Sequence, residues 1–399
     1  MKTHTRTNAR RSTLILAALG IVLTTAAPLA AADGGGRGAS ARPPGHADLR
    51  RDLQTVRQAV GGDVNIVARV DGPQGTVRAA VGPGTGGPRA DNPYFRIAST
   101  TKTYLAVVVM QLAAEGRLSL DDTVERWLPG VVAGNGNDGS RITVRHLLGH
   151  TSGLFDYMRD PAVRTRLTVD FEANRHDTTP PAELVTIAMA HPPAFTQGQA
   201  DDGSGVKWGY SNTDYLLAAM IAERASGATW RELVEARVIA PLGLRDTSVP
   251  GVNPFLPEPH IPVTMTLPDG ELHDLTEHSI QHTADSGVVS TPADVNTFFR
   301  ALASGRLLPA EQWEQMRATP PGANGHGLGV QTVALSCGGT YYTHMGDGLG
   351  VASRLGVTAD GKRAVSLAIT STGARPDTAK LNAATAVAID RALCAGAPR

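Results

Sequence analysis

The sequence predicts an α/β protein of the α+β type, in which an antiparallel sheet is flanked by N- and C-terminal helices. Three observations lead to this fold class. A helical pattern and a hairpin pattern open the folded part, a second hairpin and helix close it, and mostly helical periodicity fills 99–284 between them. We therefore expect one domain over 46–396, with its sheet built from about 60–98 and 285–396 and a helical region inserted.

The first 32 residues are predicted to be a signal peptide. Lysine and arginine side chains precede the apolar run 14–23, and Ala30-Ala31-Ala32 offers a small-residue cleavage site. The apolar run is shorter than the roughly 20 residues of a membrane-spanning helix. We expect a secreted chain without a membrane anchor, exported by the general route, with Arg10-Arg11 leaving the twin-arginine route as the alternative.

The composition gives no support for a nucleic-acid or anionic-membrane partner. The 399 residues carry 37 basic and 37 acidic side chains, so the formal net charge is zero. Apolar residues make up 41 %, which is normal for a globular protein. Residues 33–45 are rich in glycine and show no apolar pattern, so they are predicted to be a flexible linker.

The elements of the domain follow in order. A first amphipathic helix carries Leu49, Leu53, Val56 and Val60. Alternating residues in 64–70 and 76–81 predict a hairpin with its turn at Asp71-Gly72. The segments 350–357 and 364–370 predict a second hairpin with its turn at Asp360-Gly361. The last helix carries Leu381, Ala384, Ala388 and Ala392.

Lys102 lies within an otherwise apolar helical pattern. It is followed at helical spacing by Leu105, Val109 and Leu112, and Gly116 ends the run. Burying an unpaired ammonium costs several kcal/mol. Ser99 comes one turn earlier on the same side, at a helix N-terminus that favours developing negative charge. Two interpretations are a nucleophile with its base, and a snorkelling lysine beside a capping serine.

A single S-x-x-K match is weak evidence, because the chain contains a second one. Ser204 and Lys207 have the same spacing but lie in a glycine-rich stretch with no helix to align them. We interpret the second match as chance.

Two later segments favour the catalytic interpretation of Ser99. A Tyr-Ser-Asn triplet at 210–212 directly precedes an amphipathic helix, where the alternative is an N-cap formed by Asn212 or Thr213. The triplet His344-Met345-Gly346 lies near the end of a predicted strand. Its alternative is an ordinary edge strand that ends in a glycine turn.

In this order, the three segments resemble those of the penicillin-recognising serine hydrolases. The likeness is strongest to secreted D-alanyl-D-alanine carboxypeptidases and class C β-lactamase relatives, which carry S-x-x-K, Y-x-N and K/H-T-G. It covers nearly the whole mature chain, including 142–157 and 287–295. The resemblance implies a β-lactamase/transpeptidase-like fold and an exported serine hydrolase that cleaves cell-wall peptides through a covalent acyl-serine.

The resemblance also implies a role for each motif residue. Ser99 would be the nucleophile, with Lys102 and Tyr210 as the general base and acid pair. Burial can make a lysine a base, and a neighbouring ammonium can lower the pKa of Tyr210, so which of the two is the acylation base stays open. Asn212 would hold the acyl-side amide of the substrate. The backbone N–H groups of Ser99 and Asp347 would form the oxyanion hole.

The third triplet departs from the family pattern. Its middle residue is Met345 instead of threonine, and the preceding strand has no arginine. By strand alternation, Met345 and Asp347 should share the face towards the substrate, with His344 on the other. A thioether cannot donate a hydrogen bond to a carboxylate, and an aspartate would repel one. We expect weak activity on a free D-alanine carboxylate, unless Arg300 or Lys362 supplies the contact.

Other activities stay open. Esterases, D-aminopeptidases, amidases and β-lactamases of the same fold are alternatives, and a non-catalytic penicillin-binding sensor is an alternative from another class. The partner would be a small molecule or peptide, the chain a monomer, and no cofactor or metal is implied.

Three further patterns have structural interpretations. Residues 82–87 fit a dinucleotide-binding glycine pattern, but prolines follow instead of the required helix, so we predict a loop. The histidines of 273–282 lack the companions of a metal site and are predicted to lie in a solvated or site-rim segment: His273, His278 and His282. His146 and His150 are assigned a structural role by the resemblance.

The chain has two cysteines, Cys337 and Cys394. In an exported protein they are predicted to form a disulfide. Cys337 precedes the strand with His344, and Cys394 lies near the end of the last helix, which packs on the sheet in this fold.

Overall fold

The computed structural model describes residues 45–196, 200–201 (backbone only) and 205–395. The predicted signal peptide, nearly all of the predicted linker and Ser204 lie outside these residues. No helix in the described part is long and apolar enough to cross a membrane.

The helices of the described residues are α1 His46–Ala59, α2 Thr101–Ala114, α3 Val124–Trp127, α4 Val144–Leu148, α5 Pro161–Leu167, α6 Phe171–Asn174, α7 Pro181–Met189, α8 Asn212–Ser226, α9 Trp230–Val234, α10 Ala240–Leu242, α11 Pro292–Ala303, α12 Ala310–Arg317 and α13 Thr378–Cys394. The strands are β1 Val64–Gly72, β2 Gly75–Val81, β3 Phe95–Arg96, β4 Ala133–Gly134, β5 Asn137–Asp138, β6 Ala200–Asp201, β7 Gly205–Val206, β8 Thr264–Thr266, β9 Leu272–Asp274, β10 Val289–Ser290, β11 Gln331–Ala334, β12 Thr340–Thr343, β13 Gly346–Asp347, β14 Val351–Thr358 and β15 Ala364–Gly373.

Both ends of the chain build the main sheet, which confirms the predicted fold class. Its strand order is β11-β12-β14-β15-β1-β2, with β13 on β14 and the short pair β8-β9 joined to β15. Along this order the neighbours are antiparallel; β8 runs parallel to β15. Strand β1 lies between β2 and β15, so Ile66 faces Val81 on one side and Ile369 on the other.

The first hairpin turns two residues later than predicted. Gly72 faces Gly75 across the hairpin, so the turn is Pro73-Gln74 and not Asp71-Gly72. Asp71 stays in the strand because its carboxylate accepts hydrogen bonds from neighbouring side chains, namely Arg69, Thr76 and Asn296. Pro73 suits the turn because its ring fixes φ. The second hairpin is as predicted, with Asp360-Gly361 between β14 and β15 and Gly361 at a φ of 68°.

Two layers cover the sheet. Helices α1 and α13 pack together on one face, where Leu53, Val56 and Ile389 are buried. Helix α11 lies against strands β1, β14 and β15 and shares its core with the helical region, in which α2 and α8 are the long buried helices. Since residues 101–110 of α2 are all buried, a polar side chain among them has no route to solvent.

A disulfide joins Cys337 to Cys394, as predicted. It links the turn after β11 to the last residue of α13, and the two cysteines are 57 residues apart in the sequence. The neighbouring Ser336 donates its backbone N–H to Asp390 of the same helix at 2.8 Å. The disulfide therefore ties the C-terminal helix to the β11 edge of the sheet.

Removing the disulfide should destabilise the domain. Closing a loop of this length is worth on the order of 4 kcal/mol in the chain-entropy description. We expect the double variant Cys337→Ser, Cys394→Ser to lose about that much unfolding free energy in urea. Reducing agent should lower the stability of the wild type and leave the variant unchanged. Two titratable thiols in the denatured, unreduced wild type would contradict the pairing.

Candidate active site

Ser99 lies at the entry to α2, in a short 3-10 turn formed by Ala98–Thr100. Strand β3 leads into this turn and pairs with β10, and Ile97 accepts a hydrogen bond from Ser353 at 2.8 Å. Ala98 has a φ of 47°, a left-handed conformation that is unfavourable for a residue with a side chain. The surrounding strands thus hold the serine in a strained turn at a helix N-terminus.

The structure brings Lys102 and Tyr210 onto the same oxygen. Lys102 Nζ lies 3.1 Å from Ser99 Oγ, and Tyr210 Oη lies 2.9 Å from it. Lys102 also donates to Asn212 Oδ1 at 2.7 Å and to the backbone oxygen of Asp285 at 2.9 Å. The ammonium is therefore held in place by hydrogen bonds to three acceptors, one of which is the serine.

Lys102 has no solvent exposure. Burial lowers its pKa to about 8, against the opposing effect of the nearby carboxyl groups of Asp285, Asp156 and Asp214. A lysine of this pKa is neutral in a useful fraction of molecules near neutral pH, so it can accept a proton. The snorkelling interpretation is wrong, because the amine points inward.

The expected lowering of the Tyr210 pKa is wrong. Burial raises this pKa well above its ordinary value, and the charges of Asp156 and Asp285 add to the effect, although the bond to Ser99 acts against it. The Lys102 ammonium lies 5.1 Å from the centre of the Tyr210 ring. Tyr210 is therefore protonated at neutral pH and can donate a proton, whereas Lys102 is the group suited to accept one.

Asn212 is held inside the protein and does not cap α8. The N-cap residue is Ser211, and its side chain makes no capping bond. Asn212 Nδ2 donates to both oxygens of the buried Asp156, at 3.1 and 3.2 Å, while its Oδ1 accepts from Lys102. Thr213 donates to Phe155 O instead of capping. The N-cap alternative is thus wrong for both residues, and Asn212 links Asp156 to the lysine.

Gly346 lies directly against the serine turn. A Cβ at this position would collide with Ile97 O and Ser353 Oγ and would lie 3.1 Å from Ser99 N. A glycine is therefore needed for β13 to come so close, and the next residue, Asp347, follows on the same strand. The approach brings the backbone of β13 beside the N–H of Ser99, where the motifs predict the oxyanion hole.

Exposure alternates along the third triplet, but the predicted continuous strand is interrupted, because residues 344 and 345 lie between β12 and β13. His344 is buried, Met345 is 38 % exposed, and Asp347 is exposed. His344 Nδ1 lies 3.0 Å from Met345 O, a carbonyl that can only accept, so this nitrogen carries the proton. Burial lowers the pKa of His344 to about 3, and the ring is neutral.

Asp347 is neutralised by an arginine that the motifs did not reveal. Its Oδ1 lies 2.7 Å from Arg354 Nη2, and the Arg354 side chain is 1 % exposed. The predicted alternatives lie elsewhere: Arg300 donates to Gly361 O in the second hairpin turn, and Lys362 pairs with Asp360 in that turn.

A second arginine, Arg375, lies near Asp347. The residue as a whole is exposed and lines a small pocket with Asp347, although partial burial of the guanidinium lowers the pKa of Arg375. It makes no hydrogen bond or ion pair within the described part of the chain. Arg375 follows β15, the strand after the one that carries Arg354. Its distance from the triplet is therefore set by the order of strands in the sheet, and the spacing of the motifs does not predict it.

Four further histidines have contacts of their own outside the three motifs: His146, His273, His278 and His282, whose Nδ1 lies 3.0 Å from Ser279 O. His146 takes part in a capping box with Thr143 at the start of α4, and His273 bonds Glu172 and Asp269. His278 contradicts the predicted solvated segment, because it is 1 % exposed. Residues 82–86 form a loop, as predicted, and Gly87 begins a short 3-10 turn, Gly87–Ala90. Within the described residues, no group of three His, Cys, Asp or Glu side chains could hold a metal ion.

Only the lysine of the second S-x-x-K match is described, because Ser204 lies outside the described residues. Lys207 Nζ lies 5.4 Å from the centre of the Phe195 ring.

Comparison with solved structures supports the fold over nearly its full length. A D-stereospecific amidohydrolase from Streptomyces sp. is 38 % identical with a TM-score of 0.76, covering 86 % of this chain and 98 % of its own. A D-amino acid amidase from Ochrobactrum anthropi SV3, complexed with L-phenylalanine amide, is 25 % identical with a TM-score of 0.68, covering 86 % and 97 %.

Curated relatives match over shorter stretches. Penicillin-binding protein 4* of Bacillus subtilis (strain 168) is 34 % identical over 41 % of this chain and 32 % of its own length. Esterase EstB of Burkholderia gladioli is 36 % identical over 42 % of each. The chain thus spans less than half the length of these curated relatives.

The family model described as Beta-lactamase matches residues 54–390, which include every motif residue discussed above. This match, the amidohydrolase likeness and the convergence of the three motifs on one serine agree with the predicted resemblance. The chain belongs to the beta-lactamase family, in the β-lactamase/transpeptidase fold.

Proposed function

We propose that this protein is an exported serine hydrolase that forms an acyl-enzyme at Ser99 and cleaves neutral amides or esters of D-amino acids. The observation that carries the proposal is the convergence of Lys102 Nζ and Tyr210 Oη on Ser99 Oγ, with the lysine buried. An unactivated serine hydroxyl is a poor nucleophile, and a buried amine beside it supplies the base it needs. A non-catalytic binding protein would not need a buried amine and a phenol on the oxygen of one serine.

The acylation step follows from the positions of the groups. Neutral Lys102 takes the proton of Ser99 as Oγ attacks the carbonyl carbon. The backbone N–H groups of Ser99 and Asp347 donate hydrogen bonds to the oxyanion. Tyr210 gives its proton to the leaving amine or alcohol and is reprotonated by the Lys102 ammonium, so one proton passes in net terms from Ser99 to the product. Water then attacks the acyl carbon and gives a proton to Lys102, which returns it to Ser99 Oγ as this oxygen departs.

The substrate class rests on the third triplet and on the relatives. Met345 offers no hydrogen-bond donor to a terminal carboxylate, and Asp347 with Arg354 forms a pair with no net charge. The amidohydrolase that aligns over 98 % of its length is described as D-stereospecific. A D-alanyl-D-alanine carboxypeptidase is the second candidate, because the exposed Arg375 near Asp347 could meet a carboxylate.

Export is part of the proposal. The predicted signal peptide supports it, and the disulfide is compatible with an oxidising compartment.

Ser99→Ala should abolish covalent labelling by a fluorophosphonate, and Lys102→Ala should slow acylation at least about a hundredfold, the effect typical of losing a general base. Intact-mass measurement of the labelled protein checks both. Ser204→Ala is the matched control, because it removes the serine of the second S-x-x-K pattern and should label like the wild type. An acyl-enzyme formed by Ser99→Ala would refute the proposal.

The acylation rate should rise with pH through about 8. Lys102 has a lowered pKa of about 8, and only its neutral form accepts a proton, so activity is lost as pH falls. We expect kcat/KM for a D-amino-acid amide to fall about tenfold per unit well below that pH. Tyr210→Phe should lower the whole profile and leave its midpoint in place. A midpoint that moves with Tyr210→Phe would instead make the tyrosine the titrating base.

The wild type should prefer a D-Ala-D-Ala peptide amide to the same peptide with a free terminal carboxylate. The reason is that Met345 cannot donate a hydrogen bond, so Met345→Thr should narrow the difference in kcat/KM by supplying a hydroxyl. A clear wild-type preference for the free acid would favour the carboxypeptidase. In that case Arg375→Gln should abolish the preference if the arginine supplies the contact.

A further inference from the structure

His150 lies directly behind Tyr210. The two rings are 4.4 Å apart between centroids, at an interplanar angle of 39°, and His150 is 2 % exposed. The family resemblance implied a structural role for this histidine without naming its partner. The imidazole ring packs against the phenol of Tyr210 and so restricts its position.

The same residue also contacts the backbone next to Tyr210. Gly209 N donates to His150 O at 2.9 Å. Ser211 N lies 3.4 Å from His150 Nδ1, but this nitrogen has one hydrogen-bonding position, which the closer Asp214 Oδ2 takes at 2.9 Å. A displacement of His150 would therefore move the tyrosine through its ring contact and through the peptide group that precedes it.

His150 is itself fixed by a buried carboxyl group. Its Nδ1 lies 2.9 Å from Asp214 Oδ2, and Asp214 Oδ1 accepts a hydrogen bond from Ser152 at 2.5 Å. Asp214 is in the first turn of α8, two residues after Asn212, and has no solvent exposure. The segment 150–152 is thus anchored to the helix that follows the Tyr-Ser-Asn triplet.

The backbone of His150 supports the same conclusion. Its φ is 55°, in the left-handed region that a residue with a side chain rarely adopts. Such a conformation persists only where the surroundings determine it, and such residues cluster at functional sites. Burial lowers the pKa of His150 well below its ordinary value, so the ring is neutral and adds no charge beside Lys102.

We propose that His150, anchored by Asp214 and Ser152, is the positioning residue that holds Tyr210 on Ser99. It does not touch the reacting atoms; it acts through the phenol. This inference rests on the role of Tyr210 in the proposed function. Small displacements of a group at the reacting atoms can cost about a hundredfold in rate, so loss of the support should be measurable.

The test is a double-mutant cycle between His150 and Tyr210. His150→Asn is the informative change, because asparagine tolerates the left-handed backbone and reaches the position of Nδ1, yet removes the ring behind the tyrosine. With a D-phenylalanine p-nitroanilide, we expect kcat/KM to fall between about tenfold and a hundredfold in the Tyr210 protein. In the Tyr210→Phe background the same change should cost less than about twofold, because the phenol it positions is gone.

Ser152→Ala gives a second, milder variant in case His150→Asn does not fold. It removes one hydrogen bond from Asp214, and we expect about a threefold fall in kcat/KM that also disappears in the Tyr210→Phe background. The control is His278→Asn, which removes another buried imidazole, one that packs against Phe171 instead, and should leave kcat/KM within about twofold.

Two results would contradict the inference, and they differ in whether the role of Tyr210 fails as well. If His150→Asn and Ser152→Ala lower kcat/KM equally in both backgrounds, His150 does not act through Tyr210 and the inference is overturned. If Tyr210→Phe alone retains full activity, the proposed role of Tyr210 fails, and the inference fails with it.

Discussion

Lys102 donates three hydrogen bonds from a position with no solvent exposure. The other residues of the site stabilise its ammonium in that buried position. An isolated buried ammonium is costly, so the structure surrounds it with acceptors and more distant carboxyl groups. Asp156 acts through Asn212, and the peptide oxygen of Asp285 accepts directly. These partners stabilise the charged ammonium, so that the folded protein tolerates it. Burial nevertheless lowers the pKa of Lys102, so the amine can lose its proton.

Much of the fold could be predicted from local patterns. The alternation in β1, β14 and β15 and the helical spacing in α1 and α13 are properties of single segments, and the structure has them where they were expected. The exception is the turn at Pro73-Gln74, where side-chain bonds to Asp71 extend the strand. Local spacing cannot reveal such bonds, because Asn296 comes from a helix more than two hundred residues later.

In the site, too, local motifs could be predicted from the sequence and long-range contacts could not. Ser99, Lys102 and Tyr210 were found because each lies in a recognisable short motif. The direction of the Tyr210 pKa was mistaken because it depends on how completely the phenol is buried, and Arg354 was missed because it reaches Asp347 from the neighbouring strand. Burial and cross-strand neighbours are properties of the assembled domain, and a sequence read segment by segment does not contain them.

The joining of the two chain ends in one sheet has a consequence for biogenesis. Val64, at the start of β1, faces Ser371 near the end of β15, so the central strand pair cannot form until almost the whole chain has been synthesised. Contacts of such sequence separation slow folding, since a long loop must close before they form. The strand that carries Gly346 belongs to this late-forming sheet. Under the proposed function, hydrolytic activity therefore requires the C-terminal strands to have docked, because they bring Gly346 against the turn that holds Ser99.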